Sequence, residues 1–235
     1  MLKLENISYE IEGKKILDNV NLEVDDRFVA ITGPNGSGKS TLLKVIMGII
    51  EPTSGKVFMD GEDITNLSIT ERANRGISFA FQQPVTFKGL KVRDLLELTG
   101  DQEEKKKDRL TRACNVLSEV GLCAKDYIDR DIDDTLSGGE MKRIEIAMAA
   151  ARGTELTLFD EPEAGIDLWS FQNLIKVFKK LYRDTKGTIM IISHQERILN
   201  IADKIIYLED GKVRDYGERD EVLEKMRLEK EVTNG

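Results

Sequence analysis

Apolar and polar residues alternate from Met1 to Ile11, pause at the turn signal Gly13-Lys14-Lys15, and alternate again from Ile16 to Val24. Period-two alternation buries one face of a strand, so two adjoining strands are predicted, the second closed by Asp25-Asp26. Phe28-Val29-Ala30-Ile31 is continuously apolar and short, which suits a strand buried on both faces. Leu42, Val45, Ile46, Ile49 and Ile50 then recur at helical spacing, and Pro52 and Gly55 are expected to end that helix. Lys56 to Met59 with Asp60-Gly61 predicts a strand and a hairpin turn. From Pro84 to Arg152 the pattern is mostly helical, and the charge run Asp101 to Arg109 reads as a solvated helix start or loop. Leu156–Phe159, Thr188–Ile192 and Ile205–Leu208 predict further buried strands, with helical spacing from Phe171 to Leu181. Strands alternating with helices indicate an α/β fold. The polar tail, Arg227 to Gly235, is expected to fray, and no internal repeat is visible.

Composition narrows the function classes. A hydrophobic share of 40% and a charged share of 33% over 235 residues is that of an ordinary globular chain able to bury a core. The net charge of -8 argues against broad nucleic-acid binding, although it is compatible with a local basic patch. Cys114 and Cys123 cannot build a disulfide framework or ligate a four-thiolate cluster. The longest apolar stretches, Leu42–Ile50 and Ile144–Ala151, are too short to span a bilayer, and the N-terminus lacks a secretory pattern. A cytoplasmic location is expected, with any membrane contact made indirectly.

Gly33-Pro34-Asn35-Gly36-Ser37-Gly38-Lys39-Ser40 fits the phosphate-loop pattern, after a predicted strand and before a predicted helix. Glycines let successive backbone N–H groups turn inward around phosphate oxygens, and the helix points its positive end at the same place. Lys39 is placed to reach the β- and γ-phosphates, and the Ser40 hydroxyl, beside Thr41, to ligate Mg²⁺. Leu156 to Phe159 ends in Asp160-Glu161, and the carboxyl ends of parallel strands are where open α/β sheets bind ligands. Asp160 is a candidate Mg²⁺ ligand and Glu161 a candidate base for an attacking water, although an acidic pair after a strand is by itself often a loop start. Ser137-Gly138-Gly139 reads as an anion nest opening a helix or, alone, as an N-capping turn; Ile144, Ala147, Met148 and Ala151 follow at helical spacing.

With Leu136-Ser137-Gly138-Gly139-Glu140 between the phosphate loop and the Asp160-Glu161 strand, the chain resembles the ATP-binding cassette (ABC) ATPase family over essentially its whole length; Glu140 stands where glutamine is commoner. The resemblance implies the P-loop ABC-ATPase fold, with an antiparallel β subdomain and an inserted α-helical subdomain. It implies one cassette: a catalytic core over 1–84 and 153–220, a helical subdomain over 85–152, and a tail over 221–235. It also implies residue roles. Tyr9 resembles the aromatic that stacks on adenine, Gln82 the glutamine that contacts Mg²⁺ and water, and Ala164-Gly165-Ile166-Asp167 the D-loop. His194, the only histidine, resembles the switch residue at the γ-phosphate, though a lone histidine is ordinarily a surface or core residue. ATP with Mg²⁺ is the implied ligand pair, and Lys39, Gln82, Glu161 and His194 the implied catalytic set. Such proteins close as transient head-to-tail homodimers, the phosphate loop of one chain facing Ser137–Gly139 of the other.

Within the family, three segments resemble SufC-like ATPases of iron–sulfur cluster assembly: Ile77 to Pro84, Glu140-Met141-Lys142-Arg143, and His194-Gln195-Glu196-Arg197-Ile198-Leu199. That resemblance implies a SufB-like or SufB/SufD-like scaffold as partner. Tyr9 and Pro162 are closer to transporter cassettes, where a groove around Gln82 to Leu96 takes a helix of a membrane subunit. Phe81, Phe87, Leu90 and Val92 are the candidate contacts under both readings.

Overall fold

The computed structural model describes residues 1–83, 87–99, 106–133 and 135–233. They form two compact units, Met1–Ile77 with Thr188–Gly235, and Ser78–Gly187.

The first unit opens with β1 (Leu2–Ile11), β2 (Lys14–Val24) and β3 (Phe28–Thr32), followed by α1 (Lys39–Met47), β4 (Ser54–Met59), β5 (Glu62–Asp63) and α2 (Ile69–Asn74). β6 (Ile77–Ala80) leads into the second unit. There follow β7 (Phe87–Lys91), α3 (Val92–Leu98), α4 (Lys106–Glu119), α5 (Ala124–Tyr127), β8 (Asp131–Ile132), α6 (Gly138–Ala151), β9 (Leu156–Asp160) and α7 (Leu168–Asp184). The chain then returns to the first unit with β10 (Thr188–Ile192), α8 (Glu196–Leu199), β11 (Lys204–Glu209), β12 (Lys212–Glu218) and α9 (Arg219–Thr233).

In the first unit, β2-β1-β4-β5 form an antiparallel sheet, and β12-β11-β3-β10 lie side by side in that order. β3 is parallel to both β10 and β11, and all five of its residues are buried. Cover on both faces is why its sequence is continuously apolar rather than alternating. α1 ends at Gly48, whose φ of +80° turns its N–H back onto the carbonyls of Lys44 and Val45. The helix is therefore shorter than its apolar spacing predicts, because Ile49 and Ile50 follow this glycine stop. Its carboxyl end is held by the buried Arg72, which donates to the carbonyls of Val45, Ile46, Thr65 and Leu67. The carbonyls of Val45 and Ile46 lie in the last turn of α1, where a helix leaves acceptors without intrahelical partners, and the guanidinium charge complements the helix dipole.

In the second unit, β9 is wholly buried, and its Phe159 meets Phe178 of α7 edge to face at 5.1 Å. Ser78, Thr154 and Thr157 join in a buried chain of hydroxyls.

Beyond the shortened α1, two sequence expectations change and a third gains detail. The described residues between 84 and 152 are mostly helical, as expected, and also hold β7 and β8, which pair antiparallel with Phe87 opposite Ile132. Lys14 and Lys15 belong to β2, and the turn is Glu12-Gly13, where both residues take positive φ. The tail is helical through Thr233, because Val222 is buried and anchors α9. Pro84, the first part of the charge run (101–105) and the last two residues lie outside the described set. Among the described residues no helix is long and apolar enough to cross a membrane.

Candidate functional site

The phosphate loop lies between β3 and α1 in the first unit. Gly33 and Gly38 have φ of +141° and +99°. A Cβ on Gly33 would stand 1.9 Å from the Leu208 carbonyl oxygen of β11, and one on Gly38 2.6 Å from that of Ile16 in β2. Two strands press on the loop, and only glycine fits beneath them. Pro34, Asn35 and Gly36 are exposed at its tip, and Ser40 and Thr41 are half-buried in the first turn of α1. Lys39 is buried, and its ammonium donates to the carbonyls of Gly33 at 2.9 Å and Pro34 at 2.7 Å. The Ser37 hydroxyl is buried without a hydrogen-bond partner. Such an orphan costs about 1–3 kcal/mol, which an acceptor oxygen of a bound phosphate relieves. Tyr9 of β1 is half-buried opposite Leu17 of β2, whose side chain lies 2.9 Å from the Cβ position of Gly38.

His194 follows β10 and is exposed. It lines a cavity of about 670 Å³ with Gly33, Pro34, Asn35, Tyr207 and Met226. The first unit thus brings the histidine and the loop to one concavity.

The second unit gathers the acids and the glutamine. Asp160 is buried at the carboxyl end of β9, and Glu161 follows at a φ of +45°, sparsely populated for a residue with a side chain. The Ala164 N–H donates to the Glu161 carbonyl at 3.0 Å, so a tight turn directs this residue. Gln82 donates through its amide nitrogen to Glu161 Oε2 at 2.8 Å, which leaves the amide oxygen as its acceptor side.

Sequence reasoning missed how Gln82 is held. The residue before it, Phe81, is clamped by α6 through both backbone groups. Its N–H donates to Glu145 Oε1 at 2.7 Å, and its carbonyl accepts from Lys142 Nζ. Lys142 also pairs with Glu145 at 3.3 Å. Burial pushes the Lys142 ammonium below its ordinary pKa and the Glu145 carboxyl above its own. The available signal was two opposite charges three residues apart on the helix that follows Ser137-Gly138-Gly139, a spacing that otherwise marks a solvated face.

Ser137 and Gly138 are exposed at the start of α6. Ser137 Oγ accepts from the Glu140 N–H at 3.3 Å, while the Ser137 N–H donates to Glu140 Oε2 at 2.6 Å, a capping box. Gly138 and Gly139 have no positive φ and nothing described within 4 Å of an added Cβ. The fold of this chain does not demand glycine there, and the lack of a Cβ leaves the backbone open to close approach.

A separate apolar groove of about 260 Å³ lies in the second unit, lined by Phe79, Phe81, Phe87, Leu98, Met141 and Met148. Of the candidate contacts, Phe81 and Phe87 are exposed and Leu90 is half-buried. Val92 is 0% exposed and belongs to the core, because β7 passes straight into α3 at that residue.

The donors suggested for the metal, a hydroxyl, a carboxylate and an amide oxygen, are hard oxygen ligands that fit Mg²⁺. Among the described residues no group of three or more His, Cys, Asp or Glu could hold a metal by itself. Mg²⁺ is suited to such a set because it keeps water and substrate phosphate in its shell.

Known proteins resemble this chain over most of its length. The family described as ABC transporter matches residues 17–164. The "Uncharacterized ABC transporter ATP-binding protein MJ0035" of Methanocaldococcus jannaschii is 40% identical, over 97% of this chain and 93% of that protein. The "Energy-coupling factor transporter ATP-binding protein EcfA2" of Clostridium acetobutylicum is 34% identical, over 96% and 82%. The "Probable ATP-dependent transporter ycf16" of Cyanidium caldarium is 33% identical, over 93% and 90%. Among solved structures, the dimeric post-hydrolysis state of the ATP-binding cassette MJ0796 bound to ADP and Pi superposes with a TM-score of 0.83 at 29% identity, over 93% of this chain and 99% of that one.

Proposed function

The chain belongs to the ABC family and is an ATPase of that family, and we propose that it is the ATP-hydrolysing subunit of a membrane transporter. The observation that carries this reading is the exposed apolar groove, whose Phe81 directly precedes Gln82. A short amphipathic helix of a membrane subunit suits such a groove. The names of the relatives, transporter ATP-binding proteins, support the same reading.

The residue roles belong to the proposal. Lys39, with the backbone of Gly33 to Gly38, neutralises and cradles the phosphates; Ser37 supplies a further donor, and Tyr9 packs on the base. Ser40, Gln82 and Asp160 would hold Mg²⁺, which would supply neutralisation of the phosphate charge. Glu161 accepts the proton of the attacking water, and the Gln82 amide, 2.8 Å away, fixes the orientation of that carboxylate. His194 donates to the γ-phosphate. A second copy of the chain presents Ser137–Gly139 head-to-tail to the nucleotide, so that turnover depends on association. The dimeric MJ0796 cassette supports this part of the reading.

One observation favours a second partner. Lys142, part of the SufC-like Glu140-Met141-Lys142-Arg143 run, is bonded to Phe81 of the SufC-like Ala80-Phe81-Gln82 segment. Under that reading the groove takes a SufB-like or SufB/SufD-like scaffold. Capture of the intact tagged chain from its own cells decides between them. A multi-span membrane protein recovered only with detergent is the expected result. A stoichiometric scaffold protein recovered without detergent overturns the transporter reading in favour of the second.

A further inference from the structure

The Ser137–Gly139 segment is held by more than its own capping box. Glu140 accepts from the Tyr127 hydroxyl on Oε1 and from the Ser137 N–H on Oε2. Arg130 lies 3.6 Å from Glu140 Oε1 and donates to the carbonyl of Thr135, two residues before Ser137, at 3.0 Å. The Arg130 guanidinium also stacks 5.2 Å from the centre of the Tyr127 ring. One carboxylate thus receives donors on both oxygens, and the same arginine fastens the loop that enters α6. Glutamine offers a single acceptor oxygen, so it could accept from only one of these two donors, and it carries no charge for Arg130. This gives a physical reason for glutamate where the family more often has glutamine.

We infer that Tyr127 and Arg130 are positioning residues that, through Glu140, hold Ser137–Gly139 in the geometry that meets the nucleotide of a second chain. The inference rests on the head-to-tail reading above. The brace acts in trans: a weakened brace in one chain impairs turnover at the phosphate loop of its partner and leaves nucleotide binding by its own loop intact. Losing a hydrogen bond to a charged group corresponds to a roughly tenfold loss in turnover.

The test uses the full chain with Tyr127→Phe or Arg130→Gln, and with Ser137→Arg and Lys39→Ala as references. Steady-state ATPase, fluorescent-ATP binding and ATP-dependent sedimentation are measured for each. Tyr127→Phe and Arg130→Gln are expected to lose turnover about tenfold and weaken ATP-dependent association, with single-chain binding unchanged. Mixing Tyr127→Phe with Lys39→Ala is expected to give more activity than the two separately. Each mixed dimer then contains one pairing in which both the phosphate loop and the brace are intact. If neither brace variant differs from wild type while Ser137→Arg abolishes association, the inference fails and the head-to-tail reading stands. If Tyr127→Phe is impaired but gains nothing from the mixture, while Ser137→Arg does gain, the brace acts only within its own chain and the inference is overturned. If Ser137→Arg associates normally and gains nothing on mixing, the head-to-tail reading itself fails.

Discussion

Glu140 shows how much a single carboxylate carries. The Tyr127 hydroxyl, followed by the Ser137 contacts and Arg130, holds its pKa at about 2, against an ordinary 4.5. A depressed carboxylate contributes stability that is fully present above its unfolded pKa and is lost as pH falls toward the folded one. The stability advantage of wild type over Glu140→Gln, read from urea midpoints, should therefore be full at neutral pH and narrow between pH 4.5 and 2. A constant gap across that window would show that the carboxylate charge is not what the brace uses. Glycines separate in the same way. Gly33→Ala forces a Cβ to within 1.9 Å of a backbone carbonyl at a φ of +141°, and should cost about 3 kcal/mol or more in chemical denaturation. Gly138→Ala meets nothing within 4 Å and replaces a poor helix former. It should stabilise the fold by up to about 1 kcal/mol while lowering ATPase activity, measured in parallel on the same preparation.

Between elements, the firmest link to the candidate catalytic residues is the clamp of α6 on Phe81. Lys142 is 2% exposed at its side chain and Glu145 17%, so removing one partner leaves a charge in a desolvated place. Lys142→Met should cost about 3–5 kcal/mol in stability and slow turnover, whereas Lys142→Met with Glu145→Leu should recover much of the stability without the turnover. Loss of stability without loss of turnover in the single variant would mean that the clamp does not position Gln82. The same scale explains what could be read in advance. β3, β9 and β10 are contiguous apolar runs buried on both faces, and the phosphate loop completes its pattern within eight residues, so local sequence suffices for them. β7 and β8 are found only by a pairing across more than forty residues, Phe87 to Ile132, and the two residues of β8 carry no periodicity. The charged pair on α6 reads as a solvent face until packing shows otherwise.

For the molecule as a whole, the candidate residues fall into two sets. The first unit carries the phosphate loop and His194; the second carries Asp160, Glu161, Gln82 and Ser137–Gly139. Binding and turnover are therefore separable by mutation. Lys39→Ala should weaken nucleotide binding and, with it, every later step. Glu161→Gln keeps the side-chain shape and a hydrogen-bonding partner for Gln82 but cannot accept a proton, so it should bind ATP normally and lose roughly 10²–10⁴ of the turnover. Since ATP is proposed to join two chains and hydrolysis to release them, the Glu161→Gln chain with ATP should sediment at twice the monomer mass and stay there. The wild type should reach that state only transiently, and Lys39→Ala not at all. Persistent dimer in Glu161→Gln without nucleotide would mean that association does not depend on ATP. Normal turnover in the same variant would remove Glu161 as the base, and the Gln82 contact would then be structural.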